Sequence, residues 1–337
     1  MKNNAFTKTA GRQIVSALGV AACAMLCFYF ITPARSAERR TLQSGHVPRV
    51  VATSAPVENL AATQSLRLAI GLPLSNPEGL SSFIKQLYDP SSPYYRHYLT
   101  PAQFTEKFGP TEQDYQAVVA FAQANGLSVR ATHPNRMLLD VTGSVANIEK
   151  AFQVTMRVYQ HPRENRTYYA PNAEPSVPSG LRIQDVGGLN NYILPHPKYR
   201  IKPVDLSGKA TPKAGSGPQG NYMGNDFRAA YAPGVPLTGS GQTVALVQFD
   251  GYLASDITSY ESQAGLPNVP LENVLLDGFD GTPTGSGGEV EVSLDIEMVI
   301  SMVPGLTKVI LYEAGPFGDH NDVLNKIATD NSASQIS

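Results

Sequence analysis

The sequence predicts two folds in series, an α+β domain followed by part of an α/β domain with a parallel sheet. Three observations predict this. Between residues 64 and 189 the hydrophobic period alternates between 2 and 3.6 in the order strand, helices, strand, strand, helix, strand. A stretch rich in Pro, Gly, Lys and Ser without apolar period then intervenes, and past residue 222 a continuous apolar strand opens a strictly alternating strand and helix pattern.

The chain has 337 residues, enough for two domains, with 42% hydrophobic and 16% charged residues, an ordinary globular composition. Its formal net charge of −2 gives no electrostatic reason to expect nucleic acid or an anionic membrane as partner. Residues 1–37 place Lys2, Lys8 and Arg12 ahead of an apolar run from Ile14 to Ile31, and then small residues Ala34, Ser36 and Ala37. This pattern predicts a secretory signal cleaved near Ser36 or Ala37, hence a secreted chain, extracellular or periplasmic, with no membrane association after cleavage. The alternative is an uncleaved anchor, since the run matches a short membrane span. Cys23 and Cys27 both lie in this segment, so the mature chain would have neither disulfides nor a cysteine nucleophile.

In the first domain, expected over residues 38–190, "SLRLAIGL" reads as a strand and "NPEGLSSFIKQLYD" as a helix begun at Asn76. "GPTEQDYQAVVAFAQANGL" is a helix capped by Thr111 with Asp114 three residues on. Tyr115, Val118, Val119 and Ala122 share one face, and Asn125-Gly126 ends it. "LSVRATHP" and "RMLLDVTG" form two strands about a Pro-Asn turn, followed by helix "SVANIEKAF" and strand "QVTMRVYQH". The order matches a split βαβ, ferredoxin-like arrangement. His97 and His133, beside turns, read as surface or structural histidines.

Residues 191–221, which take in nearly all of "ILPHPKYRIKPVDLSGKATPKAGSGPQGNY", read as a linker with a processing site in "SGKATPKAGSGPQG". In residues 222–337, "GQTVALVQFDGY", "TKVILYEA" and the closing "SQIS" read as parallel strands, with helices "SDITSYESQAGL" and "HNDVLNKIATDNSA" between and beside them.

The helix "GGEVEVSLDIEMVISMVPG", from residue 287 to 305, carries the candidate chemistry. At roughly 100° per residue, Val292, Ile296, Val299 and Val303 form an aliphatic core stripe. Glu291, Asp295, Met298 and Met302 form a second stripe, and Glu297 projects away from both, toward solvent. Glu291 and Asp295 are one turn apart with apolar neighbours. Two readings stand at this point. Either two close, poorly solvated carboxylates have their proton affinities pushed apart and shuttle protons, or the acids complement the helix dipole.

Several of these motifs, in order, resemble the sedolisin, or serine-carboxyl peptidase, family. "YYRHYLTPAQFTEKFGPTEQDYQAVVAFAQANGL" is similar to the pro-kumamolisin-type activation domain, "FRAAY" at Phe227 to Tyr231 is similar to the entry into the mature enzyme, and "GEVEVSLDIEMVISMVPG" to the helix bearing a Glu and an Asp four apart. The resemblance runs from about Thr63 to the last residue. It implies a subtilisin-like α/β catalytic domain, protein or peptide substrates, an activation domain packed in cis on the catalytic domain, and acid activity. It also implies Glu291 as general base toward a serine and Asp295 as the group that orients it. A Glu that some members carry at the end of the first catalytic strand is here Gln248.

The family's nucleophile motif, of Ser-Gly-Thr-Ser type, and its oxyanion aspartate do not occur in this sequence, and the family's calcium site would lie downstream of Ser337. No cofactor or metal ligand is therefore expected in this chain, and the serine-type endopeptidase precursor is expected to be inactive as written. Ser286 in "TGSGG" reads as a turn residue rather than a substitute nucleophile. A subtilisin would make Asp250 catalytic, but would need a histidine where Glu291 stands, and His320 reads as a cap or surface residue. The competing functions are an activation-domain-type inhibitor or folding aid of a related peptidase, and a non-functional remnant. An unpaired strand edge and an incompletely covered apolar sheet are expected of residues 240–337.

Overall fold

The computed structural model describes residues 38–43, 45–195 and 215–337. The described residues from Arg40 onward cluster as one compact unit. The expected signal segment, with both cysteines, and the centre of the expected linker lie outside the described residues.

Strand β1 (Arg39–Thr41) is followed by β2 (Glu58–Asn59), β3 (Ser65–Gly71), three helices, α1 (Pro77–Tyr88), α2 (Pro101–Phe108) and α3 (Glu112–Ala124), then β4 (Ser128–Thr132), β5 (Leu138–Ser144) and α4 (Val145–Phe152). Each helix begins where a side chain satisfies a free backbone N–H. Asn76 accepts from Gly79 N ahead of Pro77, Thr111 Oγ1 from Asp114 N at 3.1 Å, and Ser144 Oγ from Asn147 N. Thr100 and Gln103 close a reciprocal capping box at α2. The predicted face of α3 is buried at Tyr115, Val118 and Ala122, and Val119 packs against the same core. There it meets α4 through Ile148 and Phe152 and the sheet through Leu68, Ile70, Leu139 and Val141.

Four more strands follow, β6 (Met156–Gln160), β7 (Thr167–Pro171), β8 (Ser176–Pro178) and β9 (Asp185–Gly187). The main sheet has order β4-β5-β3-β9, with every neighbouring pair antiparallel. The strand expected to complete it, "QVTMRVYQH", lies instead in a separate sheet of order β2-β6-β7. The reason is local: Gln153 turns into the left-handed region at φ 56°, and Met156–Gln160 then pairs as a hairpin with Thr167–Pro171. The place beside β3 goes to the three residues Asp185–Gly187, too short for periodicity to reveal.

The later residues form α5 (Asn225–Tyr231), β10 (Thr243–Gln248), α6 (Ala254–Ala264), β11 (Leu271–Leu275), α7 (Gly288–Met302), β12 (Lys308–Glu313), α8 (His320–Asp330) and β13 (Gln335–Ile336). Their sheet is parallel throughout, in order β11-β12-β10-β13. Strand β11 was missed because "LENVL" is polar at its centre and mostly exposed. The sheet is covered at its centre and open at its edges, where Leu275 of β11 is 46% and Ile336 of β13 52% exposed. Helices α6 and α7 close one face through Leu246, Ile257, Val292, Ile296 and Leu311, and α8 closes the other through Ala245, Ile310, Tyr312, Val323 and Ile327. Helix α8 also faces the turn after β4: Asn135 Nδ2 donates to Asn325 Oδ1 at 2.6 Å and to Thr329 Oγ1 at 3.3 Å. An apolar cavity of about 670 Å³ opens beside it, lined by Phe83, Leu87, Phe104, Met137 and Leu324. Among the described residues no helix is long and apolar enough to cross a membrane.

Candidate proton-handling site

The carboxyl end of β10 and the amino end of α7 are joined by one side chain. Asp250, 3% exposed, accepts from Gly251 N and Thr284 N, both at 2.8 Å, through Oδ1, and from Thr284 Oγ1 at 2.6 Å and Ser286 Oγ at 3.3 Å through Oδ2. These bonds pin the Gly-rich loop ahead of α7. The helix starts without a side-chain cap at Gly287, whose φ of 96° suits glycine. Gly288 is needed for contact: a Cβ there would stand 2.5 Å from Asp250 Oδ2 and 2.8 Å from its Cβ.

From this anchored start, the 3.6-residue period places Val292, Ile296 and Ile300 in the core and turns Glu291 and Asp295 together into a cleft of about 310 Å³. Both carboxylates are half-buried. Gln248, at the last position of β10, donates from Nε2 to Asp295 Oδ2 at 2.9 Å. Among the described residues no hydrogen bond reaches the Glu291 carboxylate, which faces the cleft. Ile193, Leu194 and Pro195, from the first residues of the expected linker, line the same cleft.

Glu297 departs from expectation. It is half-buried rather than solvated, and burial with the neighbouring charge of Asp256 pushes its carboxyl up to about 7. His320 does start α8, after the cap Asp319, but its exposed ring also packs at a 34° tilt against Phe249, with centroids 4.2 Å apart, and both line the cleft. Glu313 was missed altogether. It is the β12 partner of Gln248, it is wholly buried, and neither carboxyl oxygen has a hydrogen-bond partner among the described residues. Burial, with a smaller contribution from Asp250, pushes it up to about 7, so below that pH it is a neutral acid beneath the cleft. The signal was available in the lone acid that ends the apolar run "KVILYE".

Comparison with known proteins bears on this arrangement. Residues 52–192 match the family model "Pro-kumamolisin, activation domain". Xanthomonalisin of Xanthomonas sp. (strain T-22) is 27% identical over 81% of this chain and 33% of its own length. Kumamolisin of Bacillus sp. (strain MN-32) is 24% identical over 88% of this chain and 53% of its own, and sedolisin of Pseudomonas sp. (strain 101) is 26% identical over 84% and 46%. The chain thus spans between a third and about half of the relatives it matches. The solved Pseudomonas sedolisin complexed with two molecules of pseudo-iodotyrostatin overlaps at a TM-score of 0.30, 20% identity, over 34% of this chain and 33% of that one, too little to argue from.

Residues 52–192 are thus similar to a pro-kumamolisin activation domain, and a mixed α/β unit follows them. Beyond that stretch, the chain is similar to xanthomonalisin, kumamolisin and sedolisin across most of its length.

Proposed function

We propose that the chain is the precursor portion of a secreted, acid-acting serine-type endopeptidase. Residues 1–37 are its signal and residues 38–190 a ferredoxin-like activation domain. Residues 191–221 are the linker with the processing site, and residues 222–337 are part of a subtilisin-like catalytic domain. Glu291 is the general base that takes the proton of a serine hydroxyl, and Asp295 orients it.

The observation that carries this reading is the bond from Gln248 to Asp295, one helical turn from Glu291, in a cleft shared with residues 193–195. Gln248 fixes Asp295 by donating one hydrogen bond and adding no charge. Asp295 is then held in place while Glu291 keeps free lone pairs for a proton. A carboxylate in this role stays basic at acidities where an imidazole is already protonated, which favours work in acid. The apolar stretch Ile193-Leu194-Pro195 lies where a peptide substrate would run, which supports an activation domain that covers the site in cis. Because the serine motif and the oxyanion aspartate do not occur in the sequence, the base has nothing to activate and the chain as written is inactive.

The test compares this chain with the product of its reading frame extended past Ser337, each incubated at acidic pH with an unfolded protein. The chain as written should release no peptides, and an extension that supplies a Ser-Gly-Thr-Ser region should release them until Glu291→Gln is introduced. Peptide release that survives Glu291→Gln would remove Glu291 from the mechanism. Residues 193–195 lining that cleft also favour a second reading, that the activation segment acts on a related peptidase as inhibitor or folding aid. Failure of the full chain to slow or bind such a peptidase would dismiss it.

A further inference from the structure

We propose that His133, Asp140 and Asp322 form a binding site for a divalent transition-metal cation, Zn²⁺ by the chemistry of its donors, that clasps α8 to the β4–β5 turn. The Nε2 of His133 and one carboxylate oxygen each of Asp140 and Asp322 lie within 4.8 Å of one another. His133 Nε2 and Asp140 Oδ2 are 2.9 Å apart. The first two donors come from the antiparallel sheet unit and the third from the first turn of α8, nearly two hundred residues later.

Grouped acids alone do not make a site, but Asp322 adds an observation that points to a ligand. It is only 5% exposed, and its Oδ1 has no hydrogen-bond partner among the described residues; the Oδ1 of Asp140 is in the same condition. A buried carboxylate oxygen without a donor is costly, and the ligating groups grouped with it are a second carboxylate and an imidazole. Asp277 stands next to Asp322, while its own Oδ2 accepts from Asp319 N at 2.8 Å. Such a cluster needs a positive charge at its centre or a shared proton.

The donor set selects the ion. One imidazole nitrogen with two carboxylate oxygens suits Zn²⁺, which takes such ligands at about 2.0–2.2 Å in a tetrahedron and leaves a fourth position for water or Asp277. Tetrahedral closure puts ligand atoms about 3.3 Å apart, so the 2.9 Å between His133 and Asp140 needs to open only slightly. The scaffold holds the ligands without the ion. Tyr115 Oη accepts from His133 N at 3.2 Å and donates to Leu138 O at 2.9 Å, and Asn135 grips Asn325 one turn beyond Asp322.

The experiment uses the full chain stripped with a chelator, titrated calorimetrically with Zn²⁺ and, for comparison, Mg²⁺. One equivalent of Zn²⁺ should bind, raise Tm by about 5 °C at a hundredfold excess over Kd, and outcompete Mg²⁺. Asp322→Asn and His133→Gln should each weaken binding by about a hundredfold or more, beyond what loss of an outer-sphere partner costs. The double variant Glu291→Gln, Asp295→Asn should bind as the parent does. If Asp322→Asn fails to fold, His133→Gln, which leaves the buried acids in place, answers alone. Absence of one-equivalent binding would overturn the site in favour of a shared proton. Full-strength binding by a folded ligand variant would overturn it as well, and so would loss of binding in the cleft variant. None of these results bears on Glu291 as a base, so the two proposals fail separately.

Discussion

Substituting Glu313 by Gln keeps the shape of the side chain and removes its titration. Glu313 is buried with neither oxygen bonded among the described residues, and its carboxyl is raised from the ordinary 4.5 to about 7. The folded chain therefore holds this proton more tightly than the unfolded chain does. Its contribution to stability is complete below pH about 4.5, falls as the pH rises from there to about 7, and is flat beyond. A difference of about 2.5 between the two values, at 1.36 kcal/mol each, amounts to about 3 kcal/mol of stability lost across that window. Glu313→Gln should then match the parent near pH 4 and exceed it by up to about 3 kcal/mol near pH 8. Urea unfolding of both proteins at a series of pH values measures this difference, in which every other titrating group cancels. Parallel profiles would refute the argument, because they would mean that Glu313 ionises in the folded chain as readily as in the unfolded one.

Gln248→Leu takes the donor from Asp295 Oδ2 and should cost about 1–2 kcal/mol in urea unfolding, with the loss centred on α7 in amide exchange. For Gly288→Ala, the close approach to Asp250 forces the loop off its staple; a Tm unchanged from the parent would show that the loop yields freely. Asn135→Ala removes two bonds to α8, and hydrogen exchange in His320–Asp330 should speed up while that in α3 stays slow. Trypsin should cut first at Lys209 or Lys213, in the sequence stretch rich in Gly and Pro, before it attacks either sheet; early fragments ending inside β5 or β12 would contradict this.

The legibility of the sequence followed the range of the physics. Helix α7 could be read because its core stripe and its acidic stripe are both set by local periodicity, and the caps at Thr111 and Asn76 because a cap acts within four residues. Strand Met156–Gln160 was legible as a strand but not in its partner, since pairing there turned on a single left-handed residue, Gln153. Glu297 was misplaced because its surroundings come from α6, through Asp256, and not from its own helix. The group of His133, Asp140 and Asp322 left no trace in the sequence, because only the packing of α8 brings its members together.

Asp250 bears on the subtilisin alternative through the way its lone pairs are spent. In a subtilisin the acid at the end of this strand must keep an oxygen available to steer an imidazole. Here two backbone amides and two hydroxyls already claim both oxygens. The acid has become the hinge pin of a loop, and the height at which Glu291 stands over the cleft is set by that pin.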